Sequence, residues 1–296
     1  MDHTAIEPLN PVFFQLGPIA VQWYAIFVLS GFGAGVGLAV REVKKKGFDK
    51  DLFLELAPAG FLLAIIGTRL YYVIFNLDVY WRSPGRIFSI WEGGLAIHGG
   101  VIAAFLYVHW QVKKRSLPFL PVLDIVSVSF FIGQIIGRFG NFMNQEAYGR
   151  VIAGASLDAQ RSFLESLLMP RWMVDNMLIN GYYHHPTFLY EALWNLVGLL
   201  LAIFVIRKMS QILVGEVAAF YAIWYSAGRF MIEFLRTDSL MMGPLMSAQV
   251  ISVLTMIVVP FFVIKRRMNK VNMIPYHTFH LADVQSNRKN KKRVVK

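Results

Sequence analysis

The chain has 296 residues, of which 56% are hydrophobic and only 16% are charged, against roughly 25% charged residues in an average soluble domain. Its mean hydropathy is +0.50, and its 24 phenylalanines outnumber its 18 acidic residues. These values exclude an ordinary soluble protein and indicate an integral membrane protein. Cysteine is absent, which excludes disulfides, cysteine-ligated metal sites and a cysteine nucleophile supplied by the chain.

Seven stretches of the sequence are apolar enough to predict membrane spans. A spanning helix needs about 20 mainly apolar residues. Residues 11–40, 93–112 and 239–264 contain no Asp, Glu, Lys or Arg, whereas residues 52–76, 118–137, 188–206 and 216–236 are apolar with ionisable interruptions. We therefore predict an all-α fold with seven transmembrane helices.

The basic residues predict the orientation of these helices. Cytoplasmic segments carry the excess of Lys and Arg. With the N-terminus outside, the inner segments are 41–51, 113–117, 207–215 and 265–296, which hold 20 of the 29 basic residues and every lysine. The charge pattern predicts an outer N-terminus and a cytoplasmic C-terminus.

The same pattern divides the chain into a transmembrane domain, residues 1–265, and a basic cytoplasmic tail, residues 266–296. The domain includes one long extracytoplasmic segment, residues 138–187. We expect the tail to be flexible and to lie beside an anionic inner leaflet, and we expect no nucleic acid as a partner. The first ten residues contain no Lys or Arg, so no cleavable signal peptide is predicted.

Polar residues of five predicted spans fall at one depth, in the outer half of the bilayer. Ionisable groups in lipid are costly and mark functional sites by default. Arg229, Glu233 and Arg236 share one helix face by their spacing, and Glu233 can form an internal ion pair. Arg69, Arg138, Arg229 and Arg236 outnumber Glu146 and Glu233, so we expect excess positive charge that attracts an anion. A phospholipid headgroup fits because guanidinium groups match phosphate oxygens. The polar residues are Tyr24, Arg69, His98, Arg138, Arg229, Glu233 and Arg236.

Two further segments carry polar groups among glycines. Residues 137–149 read GRFGNFMNQEAYG, and the glycines let a backbone turn sharply and approach a ligand; an ordinary re-entrant loop is the alternative. His98 precedes Gly99 and Gly100, which we expect to leave room for a substrate beside an imidazole able to take a proton near pH 7. A structural histidine is the alternative there.

His184 and His185 are adjacent, which disfavours a metal site and favours the entrance of a helix.

Residues 137–149 resemble the signature of the bacterial prolipoprotein diacylglyceryl transferases at every fixed position. Other blocks of that family have similar counterparts in the same order, and the resemblance covers roughly residues 10–265. These blocks are Trp23-Tyr24, His98-Gly99-Gly100, His185-Pro186-Thr187 with Tyr190-Glu191, and Tyr225 with Arg229, Glu233 and Phe234.

The resemblance implies transfer of an sn-1,2-diacylglyceryl group from phosphatidylglycerol to the lipobox cysteine of a preprolipoprotein. The nucleophilic thiol then arrives with the substrate. The resemblance implies no metal and no cofactor. The implied catalytic residues are His98 as base, with Arg138, Arg229, Glu146 and Tyr225. The implied substrate-binding residues are Arg138, Asn141, Tyr24, Arg69, Glu233, Gly99, Asn144 and Gly149.

A transporter of anions or lipids, with arginines lining a pathway, is the alternative function. Such a pathway needs polar groups through the full depth of the membrane, whereas here they stop in the outer half. A retinal protein is excluded because no predicted span contains lysine.

Overall fold

The computed structural model describes residues 9–17, 19–89, 93–94 and 96–286, and these residues are mostly helical. The described helices are α1 (Trp23–Lys45), α2 (Lys50–Ile74), α3 (Leu77–Arg82), α4 (Ile97–Lys114), α5 (Phe119–Met143), α6 (Leu157–Ser166), α7 (Arg171–Asp175), α8 (Thr187–Phe204), α9 (Glu216–Glu233) and α10 (Ser247–Met268). Three separate hairpins pair β1 (Val12–Leu16) with β2 (Ile19–Gln22), β3 (Leu178–Ile179) with β4 (Tyr182–Tyr183), and β5 (Met241–Met242) with β6 (Leu245–Met246).

Five of the described helices are long and apolar enough to cross a membrane. They are α1, α2, α5, α8 with the 3₁₀ turn that follows it, and α10. Two other predicted spans form α4 and α9, which have only 18 residues each and include polar side chains along that length: two histidines and two lysines in α4, and Glu216, Arg229 and Glu233 in α9. These helices indicate a multi-pass membrane protein. The count of seven spans stays a prediction.

Two of the predicted spans begin with a hairpin rather than a helix. Residues 12–16 and 19–22 form β1 and β2, so α1 begins only at Trp23, and residues 241–242 and 245–246 form β5 and β6 before α10. Gly17 and Gly243 take positive φ angles of 57° and 61° in the two turns, which glycine adopts at little cost. The predicted starts at 11 and 239 are therefore wrong, because apolar content alone does not separate a strand from a helix.

Helix α5 continues six residues beyond the predicted exit at Gly137 and ends at Met143. Gly140 lies against α1, where an added Cβ would come 2.9 Å from the ring of Tyr24. Gly31 and Gly133 make a similar close contact between the same helices. Gly31 and Gly140 thus serve helix packing, and the first half of the segment 137–149 is helical.

The described residues group into two compact units, 9–39 with 124–279 and 40–123 with 280–286. In the first unit, α9 packs on both α8 and α10. Its buried core includes Val128, Phe131, Leu199, Val217 and Tyr276. Asp124 accepts the backbone N–H of Ala218 at 2.9 Å and so caps the start of α9.

The segment between α5 and α8 has a small core of its own in the first unit. Leu164, Val174 and Tyr183 are fully buried there with neighbouring apolar side chains. Arg161 is also buried, and it donates to the Tyr183 hydroxyl at 3.0 Å and pairs with Asp175 at 2.6 Å. The long predicted connection is therefore a folded element.

In the second unit, α2 packs closely against α4. An added Cβ at Gly99 would come 2.1 Å from the carbonyl oxygen of Gly67, and one at Gly100 would come 2.7 Å from Thr68. Only glycine permits this approach of the two backbones.

The first part of the C-terminal tail is packed. Tyr276 is fully buried and Phe279 is 4% exposed, both in the first unit. In the second unit the backbone N–H of Leu281 bonds the carbonyl oxygen of Lys46 at 2.9 Å. The prediction of a flexible tail is thus wrong for residues 266–281, because their aromatic side chains are buried; residues 287–296 lie outside the described part.

Candidate active site

The polar cluster of the first unit is built around Glu191 of α8, which is only 3% exposed. One carboxylate oxygen, Oε2, pairs with Nη2 of Arg138 from α5. The other, Oε1, accepts from Nη1 of Arg229 on α9 at 3.0 Å. A single buried carboxylate therefore joins the two arginines and, with them, three helices.

Two further acidic residues complete the cluster. Glu233, 1% exposed, pairs with Nη2 of Arg229 at 2.5 Å, as the i, i+4 spacing allows. Arg236 lies 3.6 Å from Glu191 Oε1 and donates to both carboxylate oxygens of Asp238, at 3.0 and 2.8 Å.

The predicted excess of positive charge is wrong for this cluster. Among the described residues, the paired side chains are three arginines and three carboxylates. Two of the carboxylates, Glu191 and Asp238, were absent from the predicted site. Glu191 had a visible signal, an acidic residue within an apolar span, whereas Asp238 lies beyond the predicted end of its span and gave none.

The arginines are more accessible than the glutamates that hold them. The side chains of Arg138 and Arg229 are each 17% exposed, against 3% for Glu191 and 1% for Glu233. A guanidinium carries five N–H donors, and these contacts use only part of that capacity. The cluster can therefore offer N–H groups of two arginines to an anion.

A chain of amides extends from Arg138 along the end of α5. Nη1 of Arg138 lies 3.5 Å from Oδ1 of Asn141, and Nδ2 of Asn141 donates to Glu146 at 3.1 Å. Asn144 also reaches Glu146, at 3.5 Å. These predicted site residues therefore lie together, and the exposed carboxylate of Glu146 is the last member of this hydrogen-bonded series.

Gly149 lies between two other backbone segments of the first unit. It pairs as an isolated bridge with Arg236, and its N–H bonds the carbonyl oxygen of His185 at 2.9 Å. An added Cβ would come 2.7 Å from Cβ of His185 and 3.1 Å from the carbonyl oxygen of Leu235. The structure thus gives Gly149 a packing role, and a contact with substrate stays a prediction.

The two adjacent histidines support the same junction. His184 is buried and its Nδ1 lies 2.7 Å from the carbonyl oxygen of Gly149, while Thr187, the first residue of α8, donates to the carbonyl oxygen of Ala147. Burial lowers the pKa of His185, and the neighbouring His184 lowers it further. The entrance of a helix predicted at these residues is confirmed.

Two predicted tyrosines also belong to the first unit. Tyr24 of α1 packs over Gly140, and its side chain is 39% exposed. Tyr225 lies one helical turn before Arg229 on α9 and stacks on Tyr221 with ring centroids 6.1 Å apart.

Arg69 belongs to the second unit, where it is 5% exposed. Its guanidinium donates four hydrogen bonds of 2.5–3.1 Å to backbone carbonyl oxygens. The acceptors are Arg86, Ile87, Gly93 and Gly94. Arg69 thus fastens the segment before α4, and its predicted contact with substrate stays a prediction.

His98 and Gly99 also belong to the second unit. His98 is exposed in the first turn of α4, with its ring 6.1 Å from that of Tyr71. The expectation that Gly99 and Gly100 leave room for a substrate is wrong, because α2 fills the space beside both. The roles of His98 as base and of Gly99 in binding stay predictions.

The fold and the site define a class of protein: a multi-pass helical membrane protein with an accessible arginine pair held on buried carboxylates. Among the residues that the structure describes, no three His, Cys, Asp or Glu side chains are grouped to hold a metal ion.

Comparison with known proteins identifies the family. The family model described as prolipoprotein diacylglyceryl transferase matches residues 11–265, so the chain belongs to that family. Relatives named phosphatidylglycerol–prolipoprotein diacylglyceryl transferase include one from Bacillus licheniformis, 46% identical over 88% of this chain and 94% of its own length. One from Bacillus cereus is 44% identical over 90% and 96%, and one from Halalkalibacterium halodurans is 44% identical over 85% and 84%.

Proposed function

We propose that this chain is a transferase that moves an sn-1,2-diacylglyceryl group from phosphatidylglycerol to the lipobox cysteine of preprolipoproteins. The observation that carries the proposal is the family match over residues 11–265, with relatives 44–46% identical whose names state both substrates. The comparisons do not support the alternative of a transporter.

The reaction exchanges one bond of the lipid. The thiol sulfur attacks the carbon of the diacylglyceryl group that bears the phosphate. A C–S bond forms, and the C–O bond between that carbon and the phosphate breaks. Glycerol phosphate leaves with the bonding electrons, and the thiol proton passes to a base. The thiolate is the reactive form of a cysteine, so the base makes the nucleophile; His98 is our candidate.

Arg138 and Arg229 are the candidates to hold the lipid phosphate. Their guanidinium groups face the two oxygens of one carboxylate and remain partly accessible. Guanidinium forks match phosphate oxygens, and donors fixed in place stabilise the charge of a departing phosphate without reorganising. Preorganisation of this pair supports their catalytic role.

The other predicted residues would orient the substrate around that pair. Asn141, Asn144 and Glu146 extend from Arg138 and would contact the glycerol headgroup. Glu233 would fix Arg229. Hydrogen bonds from Tyr24 and Tyr225 and a contact with Gly149 would add to the site, whereas Arg69 and Gly99, in the second unit, stay predicted substrate-binding residues.

The proposed topology places this chemistry at the extracytoplasmic leaflet of a bacterial plasma membrane. Seven spans with an outer N-terminus and a cytoplasmic C-terminus account for the distribution of lysine. Residues 1–265 would form the catalytic domain and residues 266–296 the cytoplasmic extension.

A reconstituted assay tests the function. Purified protein is mixed with phosphatidylglycerol labelled in its acyl chains and with a lipobox peptide. We expect the label to move to the peptide through a thioether, because only a thiol acceptor can form one. A peptide with Ser in place of Cys is the matched control, and we expect no labelling of it.

Two results of this assay would contradict the proposal. Equal labelling of the Cys and Ser peptides would show that the thiol is not the acceptor. Labelling of neither peptide by a folded, reconstituted protein would show that the protein lacks the proposed transferase activity.

A further inference from the structure

We propose that Glu191 is a positioning residue with two effects: it sets the separation of Arg138 and Arg229, and its charge lets the site release a dianionic product. The inference rests on the proposed function and assigns a role to a residue outside the predicted site.

The first effect follows from the contacts of the carboxylate. Arg138 and Arg229 lie on different helices, and each faces its own oxygen of Glu191. The two oxygens of a carboxylate are a fixed distance apart, so Glu191 acts as a spacer between the guanidinium groups. At 3% exposure it is poorly placed to meet the lipid itself, so it acts through the arginines.

The register between α8 and α9 supports this spacing. Trp194 and Trp224 stack with ring centroids 4.5 Å apart, and each indole N–H donates to the backbone carbonyl of the other, at 2.8 and 2.9 Å. Trp194 lies one turn after Glu191, and Trp224 lies about one turn before Arg229. The reciprocal bonds prevent the two helices from sliding, so the carboxylate and the guanidinium stay opposite each other.

The second effect follows from the charge balance. The paired arginines and carboxylates cancel in number among the described residues. Phosphatidylglycerol carries one negative charge, whereas a phosphate monoester carries about −1.5 to −2 at pH 7. Beside buried carboxylates the second negative charge is unfavourable, so a balanced cluster holds the lipid diester better than the glycerol phosphate that the reaction releases.

Glu191→Gln tests both effects in one variant. It keeps the shape of the side chain, but one oxygen becomes an NH₂ donor that repels a guanidinium, and one negative charge is lost. We expect kcat to fall about 10²-fold, as misplaced reacting groups do. We expect KM for phosphatidylglycerol not to rise, and inhibition by added glycerol phosphate to become several-fold tighter.

Two further variants separate charge from damage to the fold. Glu191→Asp restores the charge on a shorter side chain, so we expect a low kcat with wild-type inhibition by glycerol phosphate. Glu216→Gln removes another buried carboxylate, which pairs with Arg266 and Arg267 some 20 Å along α9 from Arg229 at 1.5 Å per residue. We expect wild-type KM and wild-type inhibition in that control.

Calorimetric titration of each protein with glycerol phosphate gives the same comparison without turnover. A Glu191→Gln protein that loses kcat but binds glycerol phosphate like the wild type would overturn the charge effect, and one with a wild-type kcat would overturn the spacing effect. Failure of the wild-type protein to transfer the diacylglyceryl group would instead overturn the proposed function.

Discussion

At the scale of single residues, each arginine of the site is held by a carboxylate. An unpaired charge in a low-dielectric environment is costly, and Arg138, Arg229 and Arg236 all contact acidic side chains. The side chains of Arg138 and Arg229 remain partly exposed, which leaves donors for a ligand. The site is thus an arginine pair prepared by its own carboxylates rather than an uncompensated positive patch.

Replacement of Arg138 by lysine keeps the positive charge but removes the planar fork. Arg138 contacts Glu191 and Asn141 through different nitrogens, which a single ammonium group cannot reproduce. We expect kcat/KM for diacylglyceryl transfer to fall by about 10²-fold or more, the usual cost of losing one fixed donor to developing charge. Steady-state kinetics with labelled phosphatidylglycerol measures it.

Arg150→Lys is the matched control for this substitution, because Arg150 is exposed and lies in the same predicted extracytoplasmic segment. We expect kinetics close to the wild type. Equal activity of Arg138→Lys and Arg150→Lys would argue against a forked contact with phosphate.

At the scale of elements, Gly149 shows how a glycine in a signature can serve the fold. The segment around it bonds to residue 185 on one side and to residues 235 and 236 on the other. This junction joins the segment that follows α5 to the start of α8 and to the end of α9. These three helices carry Arg138, Glu191 and Arg229, respectively.

Gly149→Ala should therefore loosen the junction. Its Cβ would come 2.7 Å from His185 and 2.9 Å from a backbone oxygen, so the backbone must shift. We expect a loss of about 1–3 kcal/mol of stability, as for other overpacked sites, seen as a lower melting temperature in detergent. Transfer activity should fall with it.

Gly85→Ala provides the comparison for that experiment, since an added Cβ at Gly85 meets nothing within 4 Å. We expect its melting temperature to match the wild type. A Gly149→Ala protein that melts at the wild-type temperature would contradict the packing role.

The bounds of the elements show where prediction from sequence stops. The apolar windows located every long helix, but they included the β1–β2 and β5–β6 hairpins and ended α5 too early. Strand and helix compete in an apolar stretch, and the outcome depends on turn residues such as Gly17 and on partners such as Tyr24, which packs on Gly140. Local composition does not contain those contacts.

At the scale of the whole molecule, the proposed topology can be tested because the chain has no cysteine. Single cysteines are placed at the exposed positions Ser166 and Ser210. A membrane-impermeant thiol reagent applied to intact cells should label Ser166→Cys, which lies in the predicted outer segment. Ser210→Cys, in a predicted inner segment, should react only after the cells are permeabilised.

The cysteine-free parent chain shows the background labelling in both conditions. Labelling of Ser210→Cys in intact cells, with Ser166→Cys protected, would invert the topology and would place the proposed active site on the cytoplasmic side.

The sequence alone determined the class, the family and the main helices of this protein. Apolar length reflects the cost of leaving backbone groups unpaired in lipid, and the residues of the 137–149 signature are contiguous, so both can be found without a fold. The tertiary structure decided which charges compensate one another and which glycines pack rather than bind. Glu191 meets Arg138 and Arg229 across 53 and 38 positions of the chain, and only folding brings such distant groups together.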